Sequence, residues 1–239
     1  MRAPVRHFDF MPSAIAKLPR DDRGYPIPYF AAVVDGKPDF KYADPEKFRK
    51  CIKQNRCWIC GGVLGVRKWF VLGPMCTITR TTSEPPCHRE CAEFACRACP
   101  FLTKPLAKRG ETHGVNPGGF MIVRNPGVSA IWETKTYELF EADGVLFSVG
   151  PPEDVTFWRE GRKAKPAEVI ESIETGLPPL VELAKKDGDQ GVAAFMQTVA
   201  DFRLEVVDRF LKEDTNNGEN PRTRTRKHAD VQTGRRHSQ

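Results

Sequence analysis

Apolar residues recur along this chain with two periods, and the change between them separates its strand-forming stretches from its helix-forming ones. In 137–149, Tyr137 and Leu139, then Val145, Phe147 and Val149, alternate with polar positions. This is the period of a strand with one buried face. Glu141-Ala-Asp-Gly144 between them reads as a hairpin turn. Segments 119–124, 129–133 and 155–159 have the same strand character. After Gly161 the spacing becomes helical. Pro166 opens a helix holding Val169, Ile170 and Ile173, and Gly176 is expected to end it. A second helix is predicted over 177–184. A third, over 189–213, carries Phe195, Val199, Phe202, Val206 and Phe210 mostly three or four apart.

The first half has shorter elements. Residues 1–24 are polar and irregular, and the prolines of Tyr25-Pro-Ile-Pro28 force extended backbone. Segments 29–34 and 37–41 flank Asp35-Gly36, a hairpin signal. Asp44 followed by Pro45 predicts a capped helix to Lys53, with Phe48 and Ile52 on its apolar side. A strand is predicted over 68–72, with 76–80 as its partner. A helix is expected from His88 to about Cys99, stopped by Pro100.

Chemistry is concentrated between 57 and 91. Cys57-Trp-Ile-Cys60-Gly61 and His88-Arg-Glu-Cys91 each place two residues between potential metal ligands. A C-x2-C turn followed by Gly aims two thiolates at one ion. A second pair three apart on the first turn of a helix completes a tetrahedron. The set predicted to bind Zn2+ is Cys57, Cys60, His88 and Cys91. Cys87 competes with His88, because Cys87 and Cys91 would also share a helix face. A knuckle, a hairpin and a ligand-bearing helix in this order make a treble-clef-like module. Cys51, Cys76, Cys96 and Cys99 read as core thiols, with a second metal or a redox pair as the alternative.

Composition narrows the setting. Eight Cys without an apolar leader segment suggest a reducing, cytoplasmic location, where thiols serve as ligands or core. No apolar run is long enough to span a membrane. The net charge of +6 is unevenly spread: residues 49–110 carry +9 and residues 111–215 carry −8. Either the basic segment meets nucleic acid, or it packs against the acidic one. Arg67, Lys68 and Trp69 interleave charge with an aromatic ring, which makes them candidate nucleic-acid contacts. The opposing reading puts Trp69 and Phe70 in a small core.

A nuclease built on such a module needs a general base beside the metal. Residues 68–80 contain no His, Asp or Glu, and four good ligands leave zinc no open position. No phosphate-binding Gly loop, G-x-S-x-G or H-E-x-x-H is present.

Arg23-Gly-Tyr-Pro-Ile-Pro28, Cys57-Trp-Ile-Cys-Gly61, Glu84-Pro-Pro-Cys-His-Arg-Glu-Cys91, Cys99-Pro-Phe-Leu102 and Trp158-Arg-Glu-Gly-Arg162 resemble a family of uncharacterised zinc-binding proteins from bacteriophages and bacteria. The likeness covers about residues 20–185 and implies a host context without an activity. The expected architecture is α+β. An extended N-terminal segment (1–48) precedes a treble-clef-like zinc module (49–103). Antiparallel strands followed by helices (119–213) and a disordered basic tail (214–239) complete it. The expected function is that of a phage-type accessory protein with structural zinc, binding DNA, RNA or a host protein. A nuclease or other nucleic-acid-processing enzyme is the alternative.

Overall fold

The computed structural model describes residues 8–104, 127–142 and 144–211. The expected strand at 119–124 and the basic tail lie outside them. The chain is α+β with antiparallel sheets.

A short turn of helix, α1 (Ser13–Ala16), precedes the hairpin of β1 (Ala31–Val34) and β2 (Lys37–Ala43). Asp35 and Gly36 both have positive φ, as that tight turn requires. Helix α2 (Pro45–Lys53) starts as predicted: the Asp44 carboxylate accepts from the N–H groups of Glu46 and Lys47.

Strand β3 (Lys68–Leu72) forms where expected, but 76–80 does not pair with it. That segment is helix α3 (Pro74–Thr79). Pro74 sits at a helix start, Thr77 Oγ1 donates to the Gly73 carbonyl, and Arg80 ends the helix with φ 54°. The true partner of β3 is β5 (Ser129–Thr134), which also pairs with β8 (Asp154–Arg159), itself paired to β9 (Arg162–Lys163). A second sheet joins β4 (Thr81–Thr82), β7 (Gly144–Val149) and β6 (Tyr137–Ala142). In β7, Phe147 and Val149 are buried as the alternation predicts, whereas Leu139 of β6 is 43% exposed.

Strand β5 is buried at every position. Phe70, Leu72, Trp132, Val155 and Phe157 point from the four-stranded sheet into one core. Ile131 and Trp158 point into another, beside Ile59, Cys91 and Phe94. A sheet covered on both faces has apolar residues on both sides of its central strand.

The first core is closed by α6 (Pro166–Ala184), α7 (Gly188–Phe202) and a π-helical continuation, Arg203–Leu211. Gly176 does not end α6, and the two predicted helices are one, running through Pro178 and Pro179. A Cβ at Gly176 would stand 3.3 Å from Met75 Sδ, so this glycine permits close approach of α3 rather than termination. Helix α4 (Arg89–Ala98), followed by the short α5 (Pro100–Thr103), lies on the other face of the sheet.

Candidate metal centre

The knuckle between α2 and β3 is shaped by its own backbone. Cys57 N–H donates to the Gly62 carbonyl, and Gly61 N–H to the Cys57 carbonyl. Gly61 has φ 74°, and a Cβ there would stand 2.6 Å from the Tyr29 ring. Tyr29 is fixed against the knuckle by its N–H bond to the Ile59 carbonyl. Phe30 stacks on Trp58 at 4.8 Å, and Phe48 of α2 meets the same indole edge-on. The extended N-terminal segment therefore forms one wall of the centre. Its contribution is not evident from ligand spacing.

The second ligand pair arrives on α4. His88 is its N-cap and Cys91 lies in its first turn. Backbone bonds between Trp69 and Cys87 tie the approach to α4 alongside β3.

The predicted ligand atoms of Cys57, Cys60, His88 and Cys91 lie within 4.8 Å of one another and can hold a metal ion. His88 Nδ1 is 3.4 Å from Cys60 Sγ and 3.9 Å from Cys91 Sγ. An N–S edge of a tetrahedron built with normal zinc bond lengths is about 3.6 Å. His88 Nε2 is 3.0 Å from the Val63 carbonyl, which only accepts. The ring proton therefore belongs on Nε2, leaving the Nδ1 lone pair facing the sulfurs. Cys60 N–H faces Cys57 Sγ at 3.4 Å.

The thiols of Cys60 and Cys91 hydrogen-bond to Cys57, and this draws the Cys57 pKa down to about 3. Cys91 shifts the opposite way because it is the donor. A divalent ion would replace these shared protons and hold all three sulfurs as thiolates.

Cys87, the competitor of His88, is not in the cluster. Its buried thiol donates to the Trp69 carbonyl at 3.2 Å, and burial raises its pKa well above the usual range. Cys51 is buried, its thiol pushed up to about 12 by burial, and Cys96 is raised for the same reason. Cys76 packs at the other core. Among the described residues, Cys57, Cys60, His88 and Cys91 form the only group of three or more Cys, His or acidic side chains close enough to hold a metal.

The three candidate nucleic-acid contacts do not form an open platform. Arg67 is engaged by the buried carboxylate of Glu133. Lys68 is buried, and its ammonium donates to the carbonyls of Gly65 and Val66. Trp69 is half-buried against the core around the metal cluster. Sequence reading passed over Arg97, Phe10 and Trp158, which converge at the far end of α4; the only sign was that Trp158 begins one of the quoted motifs.

No family model, curated protein or solved structure matches this chain.

Proposed function

We propose that Cys57, Cys60, His88 and Cys91 hold one zinc ion in a treble-clef-like module, and that the protein is a non-catalytic accessory factor of the phage type that binds nucleic acid. The observation carrying the structural role is the closed donor set. Three sulfurs and a histidine nitrogen, with Nε2 turned to the Val63 carbonyl, would fill a tetrahedron around the ion and leave no position for a reactive water. Bound zinc would supply cross-linking rather than Lewis-acid chemistry, joining the knuckle to α4.

The nucleic-acid reading is supported by charge that the acidic half leaves uncompensated. Arg67 and Arg80 reach across to Glu133 and Glu205. Among the described residues, Arg49, Lys53, Arg56 and Arg97 form no ion pair with an acid. Cations left in this way bind phosphates weakly, with little sequence preference and strong salt dependence.

One observation favours a protein partner instead. Val63 and Val66, on the loop between knuckle and β3, are 67% and 75% exposed. Fluorescence anisotropy of the zinc-loaded chain with labelled duplex DNA, single-stranded DNA and RNA distinguishes the two. Binding that weakens steeply from low to moderate salt is expected. No binding at low salt would give precedence to the protein partner.

A further inference from the structure

Strand β6 is the last strand of the three-stranded sheet, and its outer edge is open. Among the described residues, only β7 pairs with it. Two bonds fix which of its backbone groups face outward. Val149 N–H donates to the Arg80 carbonyl, on the β4 side, and Gly150 N–H donates to the Thr136 carbonyl, on the β6 side. Backbone groups alternate in direction along a strand, so Ser148, Leu146 and Gly144 of β7 bond to Glu138, Phe140 and Ala142. The N–H and C=O groups of Tyr137, Leu139 and Glu141 therefore point away from the sheet, along an edge of about 14 Å.

The side chains along this edge do not blunt it in the ordinary way. Exposed edge strands are commonly short, bulged, or interrupted by Pro or Lys. Strand β6 has six residues in unbroken register with β7, and neither Pro nor Lys. Its first residue is anchored, the Tyr137 ring lying 5.5 Å from that of Phe147. Leu139 and Phe140, on opposite faces, are 43% and 40% exposed. Glu138 and Glu141 flank this apolar pair, and both are exposed. Among the described residues, neither glutamate forms an ion pair. Read along 138–141, the polarity is acid, apolar, apolar, acid, the same in both directions. Directly opposed side chains on neighbouring strands favour opposite charges and apolar pairs. The complement is thus base, apolar, apolar, base, whether an added strand runs parallel or antiparallel. The β6 strand of a second copy would instead bring four glutamates together and supply no cation.

We infer that β6 takes up an extended segment of a partner protein as a fourth strand, with a basic residue opposite each of Glu138 and Glu141 and apolar side chains against Leu139 and Phe140. Backbone bonds to Tyr137, Leu139 and Glu141 hold such a strand, and the two glutamates select its charge. The edge is acidic, so this inference stands apart from the nucleic-acid reading above.

The probe is a fluorescein-labelled decapeptide with Lys-Val-Val-Lys at its centre, titrated with the full-length chain and read by anisotropy. Replacing both lysines by glutamate is expected to weaken binding at least about tenfold, because attraction becomes repulsion at two cross-strand positions. Glu138→Lys combined with Glu141→Lys should reverse that preference. N-methylation of alternate peptide residues can be placed in two phases. One phase should abolish binding, and the other, with its methyl groups facing solvent, should leave it unchanged. Leu139→Pro removes an outward N–H without touching the ladder to β7, and should abolish binding. If that variant does not fold, the two methylated peptides on the parent chain give the reading. The inference is overturned if the basic peptide does not bind, binds equally in both methylated forms, or binds a folded Leu139→Pro chain as it binds the parent. Dimerisation of the parent that Leu139→Pro abolishes would assign the edge to a second copy. Peptide binding gained only on truncation after Thr215 would assign it to the chain's own basic tail. Either result would overturn a separate partner.

Discussion

At the residue scale, the metal centre depends on small details around its four ligands. His88 can present Nδ1 because Val63 offers a carbonyl to Nε2. His88→Ala should lose the metal, while His88→Cys should retain it as a four-thiolate site. Zinc stoichiometry of the two purified variants checks this, and equal retention would show that position 88 is no ligand. Gly61 is the second such detail. Gly61→Ala would force a positive φ on an L-residue and drive its Cβ into Tyr29, costing about 1–3 kcal/mol. A denaturant midpoint unchanged by that substitution would contradict the packing described. The ligand spacing was legible because two x2 pairs form a local pattern. The choice between Cys87 and His88 was not, since neighbouring helix-start positions differ only in which way the preceding strand turns them. The β-bridge from Trp69 to Cys87 settles it by directing the thiol of Cys87 at a backbone carbonyl.

At the scale of elements, the helix starts carry the clearest energetics. Asp44 caps α2 through two backbone N–H groups, which hold its carboxyl below the usual range. Asp44→Ala should cost about 1 kcal/mol, measured as a shift in urea midpoint. Glu168, in the first turn of α6, accepts two bonds from Arg162 and one from Lys165 N–H. The Arg162 guanidinium, then that N–H, hold its pKa near 2, against an ordinary value of 4.5. A depressed carboxylate stabilises the fold above its unfolded pKa, and that contribution disappears as pH falls from about 4.5 towards 2. Glu168→Gln should therefore lower Tm at neutral pH and flatten its decline through that window. An unchanged pH profile would place the ion pair outside the stability of α6. The sequence announced α2 through its Asp-Pro pair but misplaced α3 and the end of α6. Pro74 opens a helix where 76–80 was expected to be a strand, and Gly176, expected to end α6, makes room for Met75.

At the scale of the whole molecule, the metal segment and the C-terminal half share a sheet. Strand β3 follows the knuckle directly, pairs along its length with β5, and contributes Phe70 and Leu72 to the core closed by α6 and α7. That pairing spans more than fifty residues of chain, so no local pattern signals it. The opposite charges of the two halves suggested contact without fixing where it occurs. Arg67–Glu133 and Arg80–Glu205 are two places where it does. Because the cores meet at β5, removing the ion should destabilise the molecule as one unit. Chelation should lower a single thermal transition; a second transition persisting at the original temperature would show that the halves fold independently.

Zinc K-edge X-ray absorption on the purified full-length chain, with metal content determined on the same sample, tests the closed centre most directly. The expected result is about one zinc per chain, four-coordinate, with three sulfur neighbours near 2.3 Å and one nitrogen near 2.0 Å. Absence of zinc, or a shell in which a water oxygen replaces one of the sulfurs or the nitrogen, would contradict a closed structural site.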